Sequence, residues 1–420
     1  MSDTESHDTS SDSKRQKTSD ESSDSGESCC VCEDAILAHP EKFIEITASK
    51  SPAQRALADA ICKIKSNGYF AVNGTCYGYS GLTNLGLYVD NKPWAFPLTQ
   101  IPESPVLQVA PFGKGEETVI DENVRRTLQV APEHLTFVNP DYEYHIQELA
   151  NRAACGLGLD EDVDVFLHKL LVYREGDHFA PHRDSVHREG MFATLVVQLP
   201  SIVTGGKLVV SNSGVTKEFS SDSVYQSTWV AFYNDCMHEV KPVESGIRVV
   251  LTYDLVRKKR TGELTVPTDV ACSLKREVQA WIDDNDKADN KLRIICDHLY
   301  PRNLLHDIDP KHGYDKLAGI LKGADKSRFD AIYTDNVSIC LVGVNLSFVK
   351  DCDGMTYEGM DVARTALITP RKLRFVQLLD RESEPYIDYT GNEAQTGSLT
   401  LTYCAIGLSK KTTSRGGVAT

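Results

Sequence analysis

The sequence predicts an α+β protein built around a double-stranded β-helix, or jelly-roll, with an N-terminal α/β support and a C-terminal α+β region. Three observations predict it. Between Leu170 and Leu255, short apolar runs alternate with turn signals about every 8–12 residues, the pattern of a β-sandwich or barrel. Those runs number eight, the count of two Greek keys. Helical spacing of apolar residues appears on both sides of that stretch.

In chain order, residues 1–38 carry ten acidic side chains against three basic ones and are rich in Ser and Thr. Such a segment cannot bury enough apolar surface to offset its ordering entropy, so it is expected to be disordered. Cys29, Cys30, Cys32 and His39 match no standard zinc spacing and read as free thiols beside a lone histidine. Ser51 to Ser66 reads as a helix, with Leu57, Ala58, Ile61 and Ile64 at helical spacing and Asn67-Gly68 closing it. A Gly-rich irregular segment and the polar stretch APFGKGEETVIDENVRRT follow, then a helix from Tyr142 to Leu157. The eight strands are expected at Leu170–Tyr173, His178–His182, Met191–Leu199, Lys207–Ser211, Val215–Phe219, Thr228–Tyr233, His238–Val243 and Ile247–Leu255. Gly205-Gly206 and Asn212-Ser213-Gly214 supply turns between them. Beyond Arg260 the pattern is mixed: helices at Leu274–Ile282 and Tyr314–Leu321, one or two strands in Phe329–Val349, another at Leu399–Gly407. The expected division is a tail over 1–38, a support over 39–160, the jelly roll over 161–258, and the α+β region over 261–420.

Composition narrows the function classes. With 41% hydrophobic and 25% charged residues, the 420-residue chain has an ordinary globular balance. No run approaches the ~18 apolar residues of a membrane span, and no basic-then-apolar leader opens the chain. The expectation is an intracellular protein, cytoplasmic, nuclear or both, whose 12 cysteines are thiols. The basic runs at 13–17 and 257–260 are short enough to be solvated loops, with nuclear import as the sharper reading. A net charge of −15 disfavours nucleic acid as a partner, although nearly half of it sits in the tail. Gly113 and Gly115 do not make a phosphate loop. The sequence leaves the oligomeric state open.

The stretch YREGDHFAPHRDS, residues 173–185, carries the chemistry. His182 and Asp184 stand at i and i+2, which on a strand share one face. His238, in YNDCMHEVKPV, opens the seventh expected strand and supplies a third ligand. Two histidines and one carboxylate with open positions make the facial triad of non-haem Fe(II) sites. That set leaves a +2 ion with net positive charge, which favours an anionic bidentate co-substrate. Arg248 follows His238 on the last strand, where its planar fork suits a carboxylate at the far end of such a molecule. Tyr173, Gln198 and Thr252 are lesser contacts to the same acid. His178 shares strand parity with His182, and His187 follows closely. Neither has a carboxylate two residues on, so both rank as supporting or loop residues. Glu239 should point away from His238. Arg125 and Arg126 are expected to pair with carboxylates in an interface rather than to bind substrate.

From Tyr173 to Leu255 these motifs resemble the 2-oxoglutarate and Fe(II)-dependent dioxygenase superfamily, in its prolyl 4-hydroxylase-like branch. The matching pieces are YREGDHFAPHRD, TLVVQLP, GGKLVV, WVAFYNDCMHEV and SGIRVVLTY. The segments APFGKGEETVIDENVRRT, LKGAD and YTGNEA are similar to those of a subfamily of long proteins, common in fungi and other eukaryotes, that carry this domain. The resemblance implies His182, Asp184 and His238 as iron ligands and catalytic residues, and Arg248 as the partner of the 2-oxoglutarate distal carboxylate. It implies Tyr173 beside the co-substrate. The cofactors it implies are Fe(II), 2-oxoglutarate and O2, with ascorbate as an auxiliary. The implied activity is hydroxylation of a C–H bond, on a protein side chain or a small molecule, with release of succinate and CO2. Collagen-type prolyl hydroxylases commonly carry Lys where this chain has Arg248, which weighs against collagen as substrate. The competing expectations are a jelly-roll binding or scaffold protein with little turnover, and an oxidative demethylase of nucleic acid.

Overall fold

The computed structural model describes residues 51–258, 268–284, 291–300 and 317–351 apart from short gaps, together with strands between 354 and 410. The acidic tail and the Cys29–His39 group lie outside the described residues, as does part of Tyr314–Leu321.

The chain enters as helix α1 (Pro52–Cys62). Ser51 caps it, its hydroxyl accepting from the Gln54 amide at 3.1 Å, and Pro52 fills the first turn, where no amide partner is needed. Strands β1 (Ala71–Thr75), β2 (Gln108–Val109), β3 (Arg125–Arg126) and β4 (Leu128–Val130) follow, then helix α2 (Tyr142–Gly156). The eight expected strands are all present. They are β5 (Val163–Tyr173), β6 (His178–His182), β7 (Met191–Gln198), β8 (Leu208–Asn212), β9 (Val215–Phe219), β10 (Thr228–Tyr233), β11 (Met237–Val240) and β12 (Arg248–Arg257). They form two antiparallel sheets. The larger runs β1-β10-β7-β12-β5-β4-β2, and the smaller β9-β8-β11-β6-β3. This is the expected jelly roll, enlarged because β1 to β4 extend both sheets.

Every residue of β7 and the first nine of β12 are buried, because these strands are central in the larger sheet and covered on both faces. One face meets the smaller sheet. On the other, Leu149, Ala150, Ala153 and Ala154 of α2 join the same core as Leu170, Leu195 and Leu251. Burying each such Leu contributes roughly 1.5–3 kcal/mol.

A second core lies C-terminal. Helix α3 (Thr268–Asp283) contributes Leu274, Val278 and Trp281, and β13 (Lys291–Ile295) contributes Leu292 and Ile294. Helix α4 (Gly323–Ile332) contributes Phe329, Ala331 and Ile332. The sheet behind them contains β13, β14 (Val337–Asp351), β15 (Gly354–Met360), β16 (Ala366–Ile368), β17 (Leu378–Glu384) and β18 (Gly397–Lys410). Two expectations change here. Phe329–Ile332, read as the start of a strand, is the last turn of α4. That helix is buried nearly all round, so it shows no amphipathic stripe to separate it from a strand. In addition α1, read with the N-terminal support, places Leu57, Ile61 and Ile64 in the C-terminal core. Among the described residues no helix is long and apolar enough to cross a membrane.

Candidate active site

A cavity of about 410 Å³ opens between the two sheets. The larger sheet lines it with Leu171 and Tyr173, Thr194 and Val196, and Arg248, Val250, Thr252 and Asp254, which follow the two-residue alternation of β5, β7 and β12. The smaller sheet contributes Arg125, Phe179, His182, Leu208, His238 and Val240.

His182, Asp184 and His238 converge there, with one ligand atom from each within 4.8 Å of the others. His238 sits on β11 directly opposite His182 on β6. Alternation puts His238 and Val240 inward, while Glu239 pairs with Lys241 at 2.8 Å. Asp184 arrives differently from expectation. Strand β6 ends at His182, so Asp184 lies just past it and is positioned by the Thr194 hydroxyl, which donates to its Oδ2 at 2.5 Å. Strand parity also fails for His178. A register shift between Phe179 and His182 is a bulge, which turns Phe179 and His182 to the same side. The Phe179 ring stacks on His182 at 3.4 Å, whereas the His178 nitrogens meet the carbonyls of Gly176 and Asn123.

The donor set fits a divalent metal ion. Nδ1 of His182 donates to the Ala180 carbonyl at 2.9 Å, and Nδ1 of His238 to the Cys236 carbonyl at 3.1 Å. A carbonyl only accepts, so each Nδ1 carries the proton and each Nε2 presents a lone pair. Those Nε2 atoms lie 3.8 and 3.5 Å from Asp184 Oδ1. Two donors sharing one ion at ~2.0–2.2 Å can stand no more than about 4.4 Å apart, a limit both distances meet. Burial pushes the His182 pKa down to about 3, with His238 adding to it, so the ring is neutral as a ligand must be. Burial opposes the charge on Asp184, but His238, His182 and Thr194 together hold its carboxyl below the usual range. Thr194→Val keeps the shape and removes the hydroxyl. It is expected to weaken metal binding about 10–100-fold, measured by Mn(II) titration.

Arg248 is buried in the lining of the same cavity. Its Nε donates to Gln198 Oε1 at 3.1 Å, and its guanidinium lies 5.4 Å from the centre of the Tyr173 ring, its neighbour in the β5–β12 register. Tyr173 and Thr252 line the cavity, and Thr252 Oγ1 donates to the Lys169 carbonyl at 3.2 Å. Gln198 does not line it. Its Oε1 is instead engaged by the Arg248 Nε, which orients the guanidinium.

Several lining residues were not anticipated. A second bulge, between Leu167 and Lys169 of β5, brings both His168 and Lys169 to the cavity. His168 stacks on His187 at 4.2 Å, and His187 lies 3.4 Å from Asp254, making a second group of three possible ligands. Arg188 already pairs with Asp254 at 3.3 Å, and with Lys169 adjoining His168 the surroundings do not favour another cation. Arg126 pairs with Asp177 at 3.0 Å, as the interface reading expects. Arg125 pairs with no carboxylate among the described residues and lines the cavity instead. Its contact with the cavity comes from a two-residue strand, too short to show alternation in sequence.

The C-terminal unit grips the turn that leads into β11. The Asp235 carboxylate meets Lys322 Nζ at 2.8 Å and His298 Nδ1 at 3.1 Å, and accepts the Leu299 amide at 3.1 Å. The Asp235 carbonyl accepts Arg183 Nε at 3.0 Å, tying the same turn to the segment between His182 and Asp184.

Comparison with known proteins agrees with this geometry. Residues 168–253 match the sequence profile described as the 2OG-Fe(II) oxygenase superfamily, a span containing all three converging side chains and Arg248. No curated protein matches the chain. Among solved structures, the chain is similar to a Pseudomonas putida prolyl-4-hydroxylase (14% identity, 48% of this chain and 98% of that one, TM-score 0.29). It is similar to a Trichoplax adhaerens prolyl hydroxylase in complex with a hypoxia inducible factor peptide fragment (13% identity, 50% and 94%, TM-score 0.32). A Burkholderia pseudomallei oxidoreductase of the 2OG-Fe(II) oxygenase family gives 19% identity over 36% and 73%, with TM-score 0.26. Residues 168–253 thus form a 2OG-Fe(II) oxygenase domain, and the chain carries the fold and cofactor class, Fe(II), 2-oxoglutarate and O2, of a 2-oxoglutarate-dependent dioxygenase.

Proposed function

We propose that this chain hydroxylates an unactivated C–H bond while converting 2-oxoglutarate to succinate and CO2. The observation that carries the reading is the convergence of His182, Asp184 and His238 in a cavity that buried Arg248 also lines. In this reading the two Nε2 atoms and the Asp184 carboxylate hold Fe(II), and Arg248, oriented by its bond to Gln198, takes the distal carboxylate of 2-oxoglutarate. Bound Fe(II) with its co-substrate supplies the capacity to activate O2. The chain's own part is positional. Phe179 and Phe232 flank the imidazoles, with ring centres 3.4 Å from His182 and 4.5 Å from His238. Leu171, Val196 and Val250 exclude water from the cavity walls.

The finer reading, a protein side chain as substrate in the manner of prolyl hydroxylases, rests on the sequence resemblance between Tyr173 and Leu255. The test is anaerobic addition of Fe(II) and 2-oxoglutarate, which is expected to give a visible charge-transfer band. Arg248→Leu is expected to weaken 2-oxoglutarate about 10–100-fold in the same titration, the loss of one charge-assisted pair. No band in the wild-type protein would favour the binding-protein alternative. The compartment proposed is intracellular.

A further inference from the structure

We propose that Arg125 and Lys169 form a second anion-binding subsite in this cavity, and that the substrate presented to the triad carries a carboxylate. The proposal deepens the dioxygenase reading and rests on it.

The charged groups of the cavity are accounted for one by one. Asp184 faces the two imidazoles, and Asp254 holds Arg188. Arg183 donates to the Asp235 carbonyl, and Arg248 is the cation assigned to the co-substrate. Arg125 and Lys169 are left with no carboxylate within ion-pair distance among the described residues, although the Asp184 charge reaches both.

Arg125 is only 7% exposed. Its Nη1 donates to the Pro111 carbonyl at 2.8 Å, its Nε is buried without a partner, and its guanidinium lies 4.4 Å from the centre of the Phe179 ring. Nε, one of the donors that grip a carboxylate with parallel bonds, is thus uncommitted. Lys169 comes from the opposite sheet. Its Nζ makes one bond, to Gln129 Oε1 at 3.3 Å, and it is brought to the cavity by the bulge at His168.

Both side chains line the cavity. Burial lowers the Lys169 pKa to about 8 and the like charge of Arg125 adds to that shift, so the two repel across the cavity. A guanidinium buried without an ion-paired acid also costs stability. An anion bound between them relieves both costs. The subsite is one ring from the triad, since Phe179 touches Arg125 on one side and stacks on His182 on the other. A carboxylate held there would set a nearby C–H bond toward the metal position.

The test uses the protein loaded with Mn(II) and saturating 2-oxoglutarate, so that Arg248 is occupied. Affinities are measured by thermal shift and calorimetry for two matched pairs. One pair is N-acetyl-aspartic acid α-methylamide against N-acetyl-asparagine α-methylamide, so that only the acid carries a carboxylate. The other is acetyl-glycyl-aspartyl-prolyl-glycinamide against its asparaginyl counterpart. The acid is expected to bind at least tenfold tighter than its amide in one pair, and which pair does so distinguishes a small acid from an acidic peptide. Arg125→Gln and Lys169→Met should each bring that preference to within about twofold, while Arg125→Lys should keep part of it. If Arg125→Gln does not fold, Lys169→Met decides alone. Equal affinity for acid and amide in both pairs overturns the proposal. So does a preference that survives both substitutions, or variants that weaken 2-oxoglutarate itself with the acid preference intact. Failure of the underlying reading looks different: Mn(II) and 2-oxoglutarate then give no stabilisation of the wild-type protein. In that case the acid–amide comparison on the metal-free protein and its two variants still decides the subsite.

Discussion

Asp184→Ala is expected to reduce Fe(II)-dependent succinate formation to background, a loss of at least about two orders of magnitude. That exceeds the roughly 10–100-fold cost of losing a residue that only orients a ligand. The reason is geometric. Asp184 Oδ1 lies 3.8 Å from the His182 Nε2 and 3.5 Å from the His238 Nε2, so it is the shared corner of the three donors and their only negative charge. His182→Ala should behave the same way, because its Nδ1–Ala180 hydrogen bond fixes the ring that supplies the second donor. Succinate measured with and without Fe(II) checks both variants, and undiminished turnover in either would sink the assignment of the triad.

The second large effect lies outside the cavity. Asp235→Ala is expected to cost about 3–5 kcal/mol of stability at pH 7, the usual penalty for stranding one partner of a buried ion pair, here Lys322. Urea unfolding of the full chain measures it. The pH dependence has a definite sign. Burial by itself would raise the Asp235 pKa, but Lys322 and His298 outweigh it and hold the carboxyl well below the usual carboxylate range. A depressed pKa contributes stability that is complete above the unfolded value of about 4 and declines as pH falls below it. The gap between wild type and Asp235→Ala should therefore narrow progressively in acid. A gap that widened below pH 4 would contradict the pairing.

The same substitution should weaken Mn(II) binding, by about 10–100-fold. The substitution removes the carboxylate contacts to Lys322, His298 and Leu299 that fix the turn before Cys236–Met237–His238. The backbone carbonyl that holds Arg183 between the other two candidate ligands stays but loses that anchor. A C-terminal unit that only added bulk would leave metal affinity unchanged when this contact is removed. The α1 helix reinforces the point, since a segment from the start of the described chain is built into the core of that unit.

The jelly roll was legible because its strands are short apolar runs, and turns built from Gly, Asn and Ser separate them. β6, β9 and β10 begin and end where those runs do. The two histidines and the aspartate were legible because a metal needs particular donor atoms, and few residue types carry them. Local pattern failed where the backbone departs from its repeat. The bulge between Phe179 and His182 breaks the parity that seemed to make His178 a rival ligand. The bulge at His168 brings Lys169 to the cavity together with its neighbour.

Sequence by itself determined the core architecture, through short apolar runs and turns, and singled out by donor chemistry the three side chains that converge and the Arg248 cation that lines the same cavity. Tertiary structure alone decided that Gln198 bonds Arg248, that Thr194 rather than strand geometry holds Asp184, and that Arg125 enters the cavity while Arg126 pairs with Asp177. The physical reason is the same in each case. These contacts join segments far apart in the chain, through pairings between strands or sheets that no local periodicity encodes.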